Sequence, residues 1–321
     1  MNTRTQAARG VVSMLLALTM MSVVAHSIAG SADAEEQAVE WLGNRGLHEG
    51  WDDRLKRVVF IGRAGFDTPN PKFNNPFTAR QSLAASSAVL DARIQVIEFV
   101  SMETVSAEFP AFETTKPLSA STNAGTVETR AAGKLYGAIP IAKFESWDKD
   151  RDQYEVATVV MWSLAFEKLV RSAMRGESVR VPLGSLSLEQ FALGFEKEKR
   201  VNIGGRFRDD KGVIYILGAG FAAVEGGQSL STARVLAEQN AREEILMAIY
   251  SDISSHKKAD REGGFEHDIA VRTFEGYEGQ RVNRQIRKLF GGRVVDPISQ
   301  QPVYATVFAL SLDDYAKSAL E

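Results

Sequence analysis

A nucleotide phosphate is held by glycines that let the backbone approach it and by a helix N-terminus directly beyond the turn. The stretch VIYILGAGFAAVEGG, Val213 to Gly227, runs from an apolar strand into Gly218-x-Gly220-x-x-Ala223, with a helical segment beyond. Glu225-Gly226-Gly227-Gln228 intervenes before that helix, so the tight strand-turn-helix context is missing and the glycines read as structural. Asp148, Asp150 and Asp152 have the alternate-acid spacing of a calcium loop. Such a loop needs glycine at its sixth position and a bidentate glutamate at its twelfth, where this chain has Gln153 and Val159. A solvated turn between two strands is expected there. His48, His256 and His267 each lack a second histidine three to five residues away, which argues against a zinc site. His267-Asp268 could serve a serine nucleophile, but no G-x-S-x-G elbow or P-loop is present, and a polar loop accounts for the pair. Trp41, Trp51, Trp147 and Trp162 could build a stacking surface for sugar or peptide, although Trp162, inside a strand, is assigned to the core. No catalytic, cofactor-binding or metal-binding residue is therefore assigned, and no cofactor is expected.

The elements that would position any such residues begin after an export signal. Arg4 and Arg9 precede an apolar run from Val11 to Ala25, and Ala32-Asp33-Ala34 places small residues at the two cleavage-recognition positions. A helix over that run would be about 22 Å long against a hydrocarbon core of about 30 Å. The expectation is a signal peptide over 1–34, cleaved after Ala34, and a periplasmic or secreted product with no membrane span. The chain contains no cysteine, which excludes disulfides, thiolate chemistry and a lipidated cysteine. Loss of the signal moves the formal charge from −3 to −4, and no basic stripe interleaved with aromatics is present, so nucleic acid is not an expected partner.

Four landmarks recur in order along the chain. VVFIGRAGF (58 to 66) matches VIYILGAGF (213 to 221) at an offset of 155. Ala84, Ala88 and Ala92-Arg93 match Ala233, Ala237 and Ala241-Arg242 at 149; KLYGA (134 to 138) matches KLFGG (288 to 292) at 154; and Ala157-Thr158-Val159 with Ser163 matches Ala305-Thr306-Val307 with Ser311 at 148. Each unit reads as strand, helix, strand, strand. Alanine at every fourth position lets the helix lie close on a sheet, flanked by Val89, Ile94 and Ile97, or by Leu236, Ile245 and Ile249. The shared Ala-Gly-Phe assigns Gly65 and Gly220 to relaxed strand ends and Phe66 and Phe221 to core caps. The domains expected are a first unit over 35–165, a connector over 166–210 and a second unit over 211–321.

In the connector, LAFEKLVRSAMRG reads as a helix stopped by Gly176, Ser187 with Gln190 as a capping box, and Asp209-Asp210-Lys211-Gly212 as a hairpin turn. The segment 108 to 133, rich in Thr, Ser, Ala and Pro, reads as a loop, while VRTFEGYEGQRVNRQIRKLF is expected to hold a strand and a short helix.

The fold class expected is α+β, with each unit an alanine-striped helix on an antiparallel or mixed sheet. This pattern resembles the βαββ modules of exported bacterial envelope proteins, such as the N-terminal domain of flagellar assembly protein T and related small surface lipoproteins. The resemblance implies a non-enzymatic assembly or protein-binding module, with an envelope protein or a second copy as partner. The alternative is a periplasmic hydrolase or ligand-binding protein with its site between the units.

Overall fold

A computed structural model describes residues 33–52, 55–72, 77–100, 116–123, 126–180, 205–209, 211–224, 229–259 and 265–319. The fold is α+β. Its helices are α1 (Ala34–Gly43), α2 (Phe77–Val100), α3 (Leu164–Met174), α4 (Leu230–Ile249), α5 (Gly276–Gln285) and α6 (Leu312–Lys317). The strands are β1 (Gly50–Asp52), β2 (Arg57–Asp67), β3 (Lys116–Asn123), β4 (Thr126–Tyr136), β5 (Ile139–Asp148) and β6 (Gln153–Ser163). They continue with β7 (Arg206–Arg208), β8 (Ile214–Ala223), β9 (Tyr250–Ala259), β10 (Phe265–Arg272), β11 (Ile286–Val295) and β12 (Pro302–Ser311). Every strand pair is antiparallel.

Among the described residues three four-stranded sheets form, in the orders β1-β2-β6-β5, β10-β9-β4-β3 and β11-β12-β8-β7. The first and third run through their strands in the same serial order, and a long helix lies on each. Both break register at one place: between Pro140 and Ala142 on β5, and between Lys288 and Phe290 on β11. The residues opposite the break are Val160 and Val159 in one sheet and Phe308 and Val307 in the other. The next helix is opened in both cases by a serine hydroxyl, Ser163 accepting from the Phe166 amide at 3.3 Å and Ser311 from the Asp314 amide at 3.1 Å, an N-cap worth about 1 kcal/mol.

The alanine stripes lie against the sheets as their spacing requires. Ala84, Ala88 and Ala92 on α2, and Ala233, Ala237 and Ala241 on α4, are all buried. Glycine on the strand beneath permits this contact. A Cβ at Gly62 would fall on the Ala88 carbonyl and the Ala92 amide, and a Cβ at Gly220 on the Ala237 carbonyl and the Ala241 amide. Gly62 pairs with Thr158, and Gly220 with Thr306. Gly62 and Gly220 are therefore counterparts, and the Ala-Gly-Phe alignment is three residues out of register. Gly65 lies opposite Glu155, and a Cβ there would meet the Tyr154 carbonyl of the neighbouring strand, not the helix backbone. Phe66 packs on Phe77 and Tyr154, whereas Phe221 lies under the Lys143 ammonium, 4.8 Å from its ring centroid.

The third landmark is also out of register. Lys134–Tyr136 ends β4 in the central sheet, while Lys288–Gly292 lies within β11 of the third sheet, where ladder pairing makes Pro140 the counterpart of Lys288. The loop expected over 108 to 133 contains the β3–β4 hairpin, because a Thr- and Ser-rich run can satisfy its backbone in a ladder even without apolar alternation. Leu236, expected as core, is 41% exposed, since α4 turns it away from the Ala233–Ala237–Ala241 stripe; Ile245 and Ile249 are buried.

Helix α3 ends before Gly176, whose φ of 81° suits a helix stop, and β7 turns into β8 around Asp209, whose amide donates to the Val213 carbonyl at 3.0 Å. The capping box at Ser187 and Gln190, and the segment 1–32, lie outside the described residues. The largest core joins Ala157, Val159 and Met161 of β6 to Ile216 of β8, Ile245 of α4 and Leu310 of β12. Apolar surface is thus buried across both halves of the chain together.

A methyl group at Gly62 or Gly220 forces the helix off its sheet. Gly220→Ala is expected to cost about 2 kcal/mol or more and to lower the thermal midpoint by several degrees. Gly43→Ala, whose Cβ would meet nothing within 4 Å, should be nearly silent. Equal midpoints for the two variants in a thermal melt would contradict the close-approach account.

Candidate functional site

The residues whose types first drew attention are held apart by the fold. Gly218 and Gly220 lie beneath the middle of α4, at Ala237, Ala241 and Ile245, and not at its N-terminus. The helix backbone fills the space a phosphate would need. The Asp148 carboxylate accepts from the amides of Asp150 at 2.8 Å and Arg151 at 3.1 Å, making a turn of the kind expected between β5 and β6. His48 Nε2 lies 3.3 Å from the Trp51 carbonyl oxygen. His267 and Asp268 belong to strand β10, not to a loop, and lie opposite Lys257 and His256 of β9. The four tryptophans have separate environments: Trp162 is fully buried, Trp41 packs edge-on to Phe144, Trp51 stacks on Phe99, and Trp147 donates to the Thr68 carbonyl at 3.2 Å. Among the described residues no group of three or more His, Asp or Glu is placed to hold a metal ion.

Polar groups do converge between the two halves. Gln81, on the buried face of α2, directs its amide nitrogen to Glu145 Oε1 of β5 at 3.2 Å and to both carboxylate oxygens of Asp296 at 3.3 Å. Asp296 follows β11, so one side-chain amide ties an acid of the first sheet to an acid beside the third. The Tyr154 hydroxyl donates to Glu145 Oε1 at 2.7 Å, and the Lys143 ammonium lies 3.0 Å from the same oxygen. Asp296 also accepts from the Ser299 hydroxyl at 3.0 Å. The two carboxylates are no more than about 6.5 Å apart, close enough for Glu145 to disfavour ionisation of Asp296. Burial, then the neighbouring Glu145, raises the Asp296 pKa, and burial raises that of Tyr154.

Two further charged groups, Arg93 and Glu244, influence one another electrostatically along the same seam. Arg93 of α2 is fully buried and donates to the Ala138 carbonyl at 3.1 Å, while its Nε and Nη1 find no hydrogen-bond partner among the described residues. Desolvation lowers its pKa to about 10, so it stays cationic near neutrality. Facing it electrostatically is Glu244 of α4, whose carboxylate accepts from the Ala219 amide at 2.5 Å. Burial pushes the Glu244 pKa up to about 7, against the opposing pull of the Ala219 amide, Arg93 and Lys143.

The signal for these groups was weak in the sequence. Gln81, Glu145 and Asp296 share no motif, and 215 positions separate the first from the last. Only the match of Arg93 to Arg242 hinted that a charged residue belonged on the helix, and the two have opposite fates: Arg93 is buried, while Arg242 lies over the Phe308 ring and pairs with Glu238 at 3.6 Å. Chemically, the cluster bonds acids, amide, phenol and ammonium to one another, an arrangement suited to fixing two halves in one geometry.

Two measurements follow from this geometry. Gln81→Leu removes the shared donor and is expected to cost about 2 kcal/mol. Adding Asp296→Asn should return part of that loss, as read from a double-mutant cycle in urea; strict additivity would show that the amide does not couple to Asp296. Secondly, a carboxyl whose pKa is raised on folding binds more protons in the native state than in the unfolded chain. Its contribution is therefore greatest near the ordinary carboxyl range and is lost as pH climbs towards about 7. Unfolding free energy should decline between pH 5 and pH 8 by up to about 3 kcal/mol from Glu244, and Glu244→Gln should flatten the decline in pH-resolved denaturation.

No protein-family model and no curated protein matches the chain. Among solved structures it is similar to the crystal structure of the hypothetical protein FTT1539c from Francisella tularensis. The two are 13% identical, with 97% of this chain and 93% of that chain covered and a TM-score of 0.47.

Proposed function

We propose that the chain is an exported bacterial cell-envelope protein acting as a non-enzymatic assembly or protein-binding module, built from a duplicated βαββ unit. The observation that carries the binding role is that, among the described residues, each of the three sheets ends in strands that pair with a strand on one side only. Strand β11 is the longest such edge beside exposed apolar side chains, with Leu289 56% and Val295 42% exposed. Edges of this kind recruit an added strand, with backbone hydrogen bonds supplying affinity and alternate side chains specificity.

The duplication draws support from the common strand order, the register break at the same ladder position, the glycine beneath each alanine stripe and the serine cap after each last strand. Export draws support from Arg4 and Arg9 ahead of the apolar run and from the small residues at Ala32 and Ala34. No helix among the described residues is long and apolar enough to cross a membrane. Asp33 caps α1 by accepting from the Glu36 amide at 2.8 Å, and Ala34 is buried, so cleavage after Ala34 would remove the first contacts of that helix. The alternative, a hydrolase or ligand-binding protein with its site between the units, draws on the convergence of Gln81, Lys143, Glu145, Tyr154 and Asp296.

Expression of the full precursor followed by intact-mass analysis of the periplasmic fraction is expected to give a chain beginning at Glu35; full-length protein retained in the cytoplasm would remove the envelope reading. Affinity capture from envelope extracts is expected to retain a partner or further copies of the chain, and Leu289→Asp with Val295→Asp should release a partner held on β11. A protein that is monomeric and captures nothing would refute the binding role.

A further inference from the structure

The central sheet is assembled from both halves of the chain in a way the outer sheets are not. Its order reads β3, β4, β9, β10, the strands following one another across the sheet as they do along the chain. Each half contributes a hairpin: β3 with β4, and β9 with β10. The hairpins meet along ten register pairs, from Val127 opposite Ala259 to Tyr136 opposite Tyr250. In that junction the second strand of one hairpin pairs with the first strand of the next. Lys134 stands opposite Asp252 and Glu128 opposite Lys258, so opposite charges share register positions at both ends of the ladder.

A junction made of two unlike edges is heterologous, and it leaves one edge of each kind open. Among the described residues the outer strands of this sheet are β3, a first strand, and β10, a second strand. These are the two kinds of edge that already join inside the molecule. A β3 edge arriving antiparallel on β10 would continue the alternation of strand directions across the sheet without a break. We propose that β10 of one molecule pairs with β3 of a second copy of this chain, repeating the β4–β9 junction between molecules and assembling the protein head to tail. This deepens the assembly-module reading above and rests on it.

The chemistry of the edges sets the strength. Pro117, with the register break between Lys116 and Ser119, blunts the start of β3, because proline has no amide to donate and a bulge turns the edge aside. Pairing is thereby confined to Ser119–Asn123, five residues of Ser, Ala, Ser, Thr and Asn against Phe265–Ile269. A five-residue ladder is half the length of the internal one, so the association is concentration-dependent and reversible.

The chain has no cysteine, which makes cross-linking decisive. Within one molecule β3 and β10 are three strand spacings apart, about 14 Å, whereas a disulfide requires Cα atoms within about 7 Å. Any bond between cysteines on these two strands must therefore join two molecules. Full-length single variants would be prepared: Ser121→Cys on β3, and Glu266→Cys, His267→Cys and Asp268→Cys on β10, the three covering a shift of one residue in register. Under mild oxidation, a mixture of the β3 variant with at least one β10 variant is expected to form mixed dimers several-fold in excess of either protein alone. The double variant Ser121→Cys with that β10 substitution should form a ladder of higher multimers. Mixtures that cross-link no faster than each protein alone at all three positions would overturn the proposal. Capture of a different envelope protein in that same case would leave the binding role standing while removing self-assembly through this sheet.

Discussion

The contact on which the rest of the structure depends is that between a helix backbone and a strand backbone with no side chain between them. At Gly62 and at Gly220 the helix comes so near that a single added carbon would sit on peptide atoms of the turn above. Alanine on the helix and glycine on the strand are two halves of one requirement. Larger residues can pack only to either side, as Ile94 and Ile97 do beside one stripe and Ile245 and Ile249 beside the other. With the helices seated so low, sheet order, register break and serine cap can take the same form in both outer sheets.

Where the halves meet, the requirement is electrostatic. Gln81 supplies one donor to two acids, and Arg93 and Glu244 place opposite charges inside the seam with few hydrogen bonds of their own. Buried charge of this kind stabilises little over an apolar filling of the same volume, but it penalises strongly any arrangement that separates the partners. The seam therefore favours one relative placement of the halves more than it adds net stability. The α3, α5 and α6 helices are tied in a similar manner: Arg281 reaches the carbonyls of Ala173 and Met174 at 3.4 and 3.3 Å and stacks on Tyr315, whose hydroxyl donates to Glu278 at 3.0 Å.

Much of this was legible in the sequence, and the failures have physical causes. Helix α4, the stop at Gly176 and the turn at Asp209 follow from periodicity and from residues with one strong local preference. The Ala-Gly-Phe match misled because tripeptide identity is a weaker constraint than pairing: Gly62 carries the same burden as Gly220 within a different local sequence, Ile-Gly-Arg against Ala-Gly-Phe. The β3–β4 hairpin was hidden because its residues are small and polar, with neither alternation nor β-branched runs to mark a strand. Leu236 was misplaced because α4 is striped by alanine too narrowly to bury the residue beside Ala237. The seam could not be read at all, since Gln81, Glu145 and Asp296 become neighbours only after both sheets have formed.

The shared core has a consequence for the protein's history. With Val159 and Met161 of the first sheet packed into one cluster with Ile216, Ile245 and Leu310 of the second half, neither half retains a complete interior if the other is lost. Recombination that exchanged one half for an unrelated domain would expose oily surface on the half left behind. The two halves are thus held to one another through these positions, each free to vary on its outward faces and constrained by the other within.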